Sequence, residues 1–141
     1  IMRGIRTLDV RLDKHQENAK KIANFLSRKK NIEVLYPISN KSKNYLLWKK
    51  YYSGSSGLMG IKIKSKNKQS VDRFVNSLKL FGHGYSWGGF ESLALHQEIK
   101  EQGQRKYLNL KKNEYLVRLH IGLEDIEDLI KDINKSLKYI K

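Results

Sequence analysis

At 141 residues the chain is one ordinary domain, long enough for a proper core and too short for two large ones. It has no cysteine, which excludes disulfides, thiolate metal sites and a cysteine nucleophile and makes a reducing compartment the default. The net charge of +15 is mostly lysine spread along the whole sequence, with seven arginines and many asparagines and isoleucines, a pattern that follows from AT-rich coding and says little about function.

Leu8, Leu12, His15, Ala19, Ile22 and Leu26 recur at alternating steps of three and four, so residues 7–27 are predicted to form one long amphipathic helix. His15 falls on that apolar stripe, where a histidine is more often a packed side chain at a domain boundary than a ligand. The helix begins without a loop of its own, and with Ile1 as first residue this suggests a connecting helix in residues 1–30, cut from a longer parent and leading into a domain at 31–141. Residues 32–36 read as a short strand ended by the only proline, Pro37, and residues 39–44 as a polar loop. Residues 45–52 read as a short helix or an irregular segment. Its Trp48, Tyr51 and Tyr52 are expected to be local core rather than a stacking surface for bases.

A turn at 53–57 leads into an alternating strand at 58–64, and Val71, Phe74, Val75 and Leu78 line one face of the next helix. The lysine clusters 41–43 and 62–68 read as solvated loops rather than phosphate grips. After a segment at 80–84 come a strand at 90–95, a hydrophilic linker at 97–112 and a strand at 115–120. Glu124-Asp125 opens the last helix, with acids in its first turn, lysines in its last, and a core face of Ile126, Leu129, Ile130, Ile133 and Leu137. Consecutive strands without intervening helices predict an α+β domain in two layers, a mostly antiparallel sheet covered by helices on one side. No apolar run approaches membrane-spanning length and no signal-peptide core follows the N-terminus, so the expectation is a cytoplasmic chain with neither membrane nor nucleic acid as partner.

Two local constellations carry chemistry. One is Gly84-Tyr85-Ser86-Trp87-Gly88-Gly89-Phe90-Glu91-Ser92, a glycine-flanked turn with a hydroxyl and an indole; the other is Val117-Arg118-Leu119-His120-Ile121-Gly122-Leu123-Glu124. An arginine in an apolar run needs an anionic partner, and its planar fork suits a carboxylate bidentately. That carboxylate belongs either to a bound small molecule or to one of the chain's own acids, and the fork alone leaves both open. Residues 84–88 also satisfy G-x-S-x-G, with Glu114 and His120 downstream as acid and histidine, but Gly88-Gly89 disfavours the helix that a nucleophile elbow needs. The glycines at 54, 57 and 60 fit no phosphate-binding loop, and the histidines at 15, 83, 96 and 120 show no metal spacing.

These two segments resemble the C-terminal domain of the pyridoxal-phosphate-dependent Cys/Met metabolism family. So do Met2-Arg3-Gly4-Ile5-Arg6-Thr7-Leu8, Arg11-Leu12, Trp48-Lys49, Gly54-Ser55-Ser56-Gly57-Leu58 and Leu78-Lys79-Leu80-Phe81-Gly82, in the same order. Trp87 resembles the cystathionine β-lyase branch, where γ-acting relatives usually carry leucine. The resemblance implies the small C-terminal domain of fold-type I enzymes and a lyase that cleaves the Cβ–S bond of cystathionine. It implies that Arg118 clamps the substrate α-carboxylate, that Ser86 positions the substrate and the catalytic lysine, and that Trp87, with Tyr85, shapes the pocket. The Schiff-base lysine and the other groups that hold pyridoxal phosphate belong to a large domain preceding this one, so no catalytic residue and no cofactor binding are expected of the chain alone. A homotetramer is implied for the complete enzyme. A basic nucleic-acid-binding module, whose binding would weaken steeply with salt, and a remnant domain acting only in complementation are the alternatives.

Overall fold

The computed structural model describes residues 2–40, 42–99, 103, 106 and 108–140. A short helix α1 (Met2–Ile5) precedes the long helix α2 (Leu8–Leu26), so the chain does not enter α2 at once as the sequence suggested. Then come β1 (Ile32–Leu35), α3 (Tyr45–Tyr51), β2 (Leu58–Lys64) and α4 (Lys68–Ser77). The chain continues through β3 (Phe81–His83), β4 (Ser92–Gln97), β5 (Glu114–His120) and α5 (Ile126–Ser136), which tightens into a 3-10 turn at Leu137–Tyr139. The expected linker at 97–112 and the cluster at 41–43 lie partly outside the described residues, as does Ile1.

The five strands form one sheet in the order β1-β2-β5-β4-β3. Every neighbouring pair is antiparallel except β3 with β4. Met59 faces Leu119 and Ile61 faces Val117 across β2 and β5, and these side chains are buried with Ile63 and Ala94. Because successive side chains alternate faces, all of them belong to one side of the sheet. There they meet Ala19, Ile22, Ala23 and Leu26 of α2, Val71, Phe74 and Val75 of α4, and Ile126, Leu129 and Ile133 of α5 in one core. The result is the expected two-layer α+β domain. Ile130 and Leu137 are only half-buried, and Asp132 takes a place on that face instead.

Local chemistry explains the boundaries. The Asn67 carboxamide accepts from Ser70 N at 3.0 Å and starts α4, and the Asp125 carboxylate accepts from Glu127 N and Asp128 N to start α5. Asp132 accepts from the amides of Lys79 and Leu80, each at 2.8 Å, and so ties α5 to the entry of β3. Asp132→Ala leaves two amides without that acceptor and is expected to cost about 1–2 kcal/mol in urea unfolding; an unchanged midpoint would contradict this role.

Three expectations fail for visible reasons. Leu8 and Leu12 are 44% and 40% exposed, because the apolar stripe of α2 meets the rest of the domain only from His15 onward. The segment around Trp48 is helical but not core: α3 buries no residue, Leu46, Leu47 and Tyr51 are exposed, and Trp48 is held by its indole N–H donating to Gly54 O at 3.2 Å. Lys62 is not a solvated loop residue. It is buried in β2 and pairs with Glu33 on β1, Nζ to Oε1 at 3.2 Å. Among the described residues no helix is long and apolar enough to cross a membrane.

Candidate functional site

Alternation along β5 sends Val117 and Leu119 into the core and puts Leu116, Arg118 and His120 on the opposite parity. Arg118 pairs in register with Gly60 on one side and Leu95 on the other, so it stands in the middle of the sheet, on the face away from the helical core. Nothing in the apolar pattern of β5 explains a cation there.

The loop that meets it follows from the one parallel pairing. Phe81 pairs with Ser92 and His83 with Ala94, so the chain leaves the end of β3 and must return to the start of a strand running the same way. Parallel neighbours usually take a dozen or more residues and a helix for this; here residues 84–91 do it without a helix. The sequence predicts this strand at 90–95 and assigns no element to residues 80–84. The strand starts at Ser92, and β3 at Phe81–His83 is its parallel neighbour.

That loop passes over Arg118. The guanidinium Nη2 donates to Gly84 O at 3.0 Å and, at a longer 3.4 Å, to Ser86 O. No acid among the described residues pairs with it, so the internal ion pair left open by the sequence is not found there. A guanidinium carries five N–H donors, and the two carbonyls engage one nitrogen. Arg118 is half-buried, whereas Ser86 is exposed and Tyr85 and Trp87 are 79% and 64% exposed. The structure thus brings the backbone of Ser86 to Arg118 and leaves the side chains of Tyr85, Ser86 and Trp87 uncovered beside it.

A polar framework fixes the far end of the loop. Glu124 accepts from Ser92 N at 2.6 Å and from the Ser92 hydroxyl at 2.8 Å, while Ser92 Oγ accepts from Gly122 N at 2.8 Å. Leu123 N donates to Phe90 O at 2.8 Å. Helix α2 holds the same segment: His15 Nδ1 bonds Ile121 O at 2.7 Å, and Asn18 Nδ2 donates to Gly122 O and Glu124 O, each at 3.1 Å. Arg11 reaches Gly88 O at 3.4 Å and Gly4 O at 2.9 Å. Sequence reasoning placed His15 on the packed face but missed Asn18; the signal was the spacing of three, which sets both side chains on one side of α2.

The local structure is not that of a nucleophile elbow. β3 is a three-residue edge strand, no helix follows Gly88, and Gly88 itself adopts φ +80°. His120 faces Gly88 and Gly89 rather than the Ser86 hydroxyl, and Glu114 accepts from Lys111 N. Of the other histidines, His96 contacts Asp72 at 2.6 Å and His83 is exposed. Among the described residues no three His, Asp or Glu side chains gather as a metal site.

The model of the family described as Cys/Met metabolism PLP-dependent enzyme matches residues 1–138. Cystathionine beta-lyase MetC of Escherichia coli (strain K12) is 39% identical over 146 residues, covering 98% of this chain and 36% of the relative. The L-alanine/L-glutamate racemase of Wolbachia pipientis wMel is 36% identical over 137 residues, covering 96% of this chain and 34% of the relative. Among solved structures, cystathionine gamma synthase from Xanthomonas oryzae pv. oryzae in complex with aminoacrylate and cysteine superimposes with a TM-score of 0.85 at 31% identity, over 97% of this chain and 36% of that one. The chain therefore spans about a third of the length of these relatives. With a match over nearly its whole length and the same fold as a solved member, the chain belongs to the Cys/Met metabolism family of PLP-dependent enzymes.

Proposed function

We propose that this chain is the C-terminal, substrate-binding part of a carbon–sulfur lyase of the cystathionine β-lyase type, which with water converts cystathionine to homocysteine, pyruvate and ammonia in transsulfuration and methionine metabolism. The observation that carries the reading is Arg118: a half-buried guanidinium on the open sheet face, anchored through one nitrogen and paired with no acid among the described residues. In this reading the free edge of its fork takes the α-carboxylate of the sulfur amino acid. Ser86 positions the substrate and the catalytic lysine, Trp87 shapes the pocket, and Tyr85 lines it.

In this reading pyridoxal phosphate belongs to a large domain outside this chain, with 1–30 as the connecting segment and 31–141 as the C-terminal domain. The cofactor supplies the electron-accepting ring, and this chain contributes the fixed orientation of the substrate. Met2, Ile5, Leu8, Val10 and Leu12 are exposed along α1 and the start of α2, which supports a docking surface for that large domain. The isolated chain is expected to be inactive, and the assembled enzyme to be a cytoplasmic homotetramer.

Similarity to a racemase at nearly the same identity as to a β-lyase makes the reaction the point to test. The enzyme assembled from this chain and its cofactor-binding part is expected to release pyruvate and homocysteine from cystathionine. Release of 2-oxobutanoate and cysteine, or racemisation of alanine without pyruvate, would overturn the β-lyase assignment.

A further inference from the structure

We propose that His120 is a positioning residue for the Arg118 site: its neutral ring, packed against His15, fixes the Gly88–Gly89 turn and so holds Ser86 and Trp87 beside the guanidinium, and protonation of His120 releases that turn. The inference rests on the substrate-binding reading of Arg118 and adds what keeps the loop in place over it.

The two rings are each 2% exposed, with centroids 5.0 Å apart and planes tilted by 49°. Gly57 closes the space beside them: a Cβ there would come within 3.2 Å of two atoms of the His120 ring. Hydrogen bonding assigns the tautomers. Ile121 O, 2.7 Å from His15 Nδ1, can only accept, so Nδ1 carries the proton and the buried Nε2, which has no partner among the described residues, is the bare nitrogen. By the same argument Gly89 O, at 3.1 Å, puts the proton of His120 on Nε2. The Gly88 amide lies 3.2 Å from Nε2 and 3.4 Å from Nδ1, so it addresses the ring rather than one lone pair. An N–H over an aromatic face is attracted by a neutral ring and repelled by an imidazolium.

A second proton on His120 has no good place here, because the ring would then be an imidazolium facing the Gly88 N–H. The charged or titratable groups around His120 are His15 from α2, Arg118 on its own strand and Glu124 beyond it. Burial is the largest influence and lowers the His120 pKa below its ordinary 6.5; His15 and Arg118 act in the same direction, while the Gly89 carbonyl and Glu124 oppose it. The opened loop, with His120 in water, therefore takes up the proton first. Closure is complete above pH 6.5 and weakens as the pH falls from there toward the lowered value.

The test is amide hydrogen exchange by NMR on the full chain. Between about pH 7.5 and about pH 5 the protection of the Gly88 amide is expected to fall, while Ile61 and Val117 in the β2–β5 ladder stay protected. His120→Gln keeps a donor for Gly89 O and cannot titrate, so the pH dependence is expected to vanish. If that variant does not fold, His15→Gln serves instead: it removes a neighbour that disfavours the charge and is expected to raise the midpoint pH. Gly88 unprotected at neutral pH, protection that ignores pH, dependence that survives in His120→Gln, a midpoint unmoved in His15→Gln, or simultaneous loss at Ile61 and Val117 would each overturn the proposal. None of these signals involves substrate or cofactor. A chain that behaves as expected here but supports no lyase activity on assembly overturns the lyase reading alone, and the reverse result overturns only this inference.

Discussion

Arg118→Lys in the assembled enzyme is expected to lower kcat/KM for cystathionine about 100-fold, most of it through a higher KM. The change keeps the positive charge and removes the planar fork, so a carboxylate held by two parallel bonds becomes one held by a point charge, and an error of about 1 Å in placement costs rates of this order. Arg118→Ala is expected to lose at least as much. Both variants should fold, because Arg118 lies on the open face and its bonds to the described chain are those to Gly84 O and Ser86 O. Steady-state pyruvate release, with circular dichroism as the control for folding, gives the comparison. Unchanged catalytic efficiency in Arg118→Lys would remove the carboxylate clamp from the account.

Gly122→Ala is expected to destabilise the domain by about 3 kcal/mol or more, with a fall in the urea midpoint at unchanged slope. The obstacle is space rather than conformation, since the φ of Gly122 is not in the left-handed region. An added Cβ would overlap the Phe90 carbonyl oxygen and the Glu124 carboxylate, and Phe90 is backbone that cannot step aside without breaking the Leu123–Phe90 bond. The methyl group would therefore separate the end of the site loop from the segment after β5 and loosen the Ser92–Glu124 contact with it. Gly89→Ala is the matched control: nothing lies within 4 Å of a Cβ there, and its effect on stability should stay within about 0.5 kcal/mol. Equal midpoints for the two variants would contradict the packing described around Gly122.

How far the sequence could be read depended on whether the signal was periodic. The core faces of α2, α4 and α5 were legible because each repeats at the helical period over several turns, and β2 and β5 because they alternate. β3 was not legible as a strand: three residues carry too little pattern, and its parallel pairing with β4 depends on residues 84–91 taking a short return path. The exposure of Leu8, Leu12 and the α3 aromatics was hidden for another reason. An apolar residue reads the same whether its partner lies in this chain or beyond it. Lys62 was misread because a lysine inside a strand looks solvated until Glu33 is seen opposite it.

The site was legible as two motifs and not as one place. Arg118 stood out because a guanidinium interrupts an apolar strand, and Ser86 and Trp87 because glycines flank them. The groups that hold the two motifs together, Ser92 with Glu124 and Asn18 with the carbonyls of Gly122 and Glu124, act over separations of 30 residues and more. Their chemistry is ordinary and their spacing follows no period, so only the folded chain brings them together.

The most direct test of the central claim is to add the purified chain to a cofactor-loaded large domain of a family member and follow pyruvate release from cystathionine, with the chain alone and Arg118→Ala in parallel. The account predicts no pyruvate from the chain alone, release on mixing, and loss of that release in Arg118→Ala. Pyruvate from the chain alone, or equal release with Arg118→Ala, would contradict it.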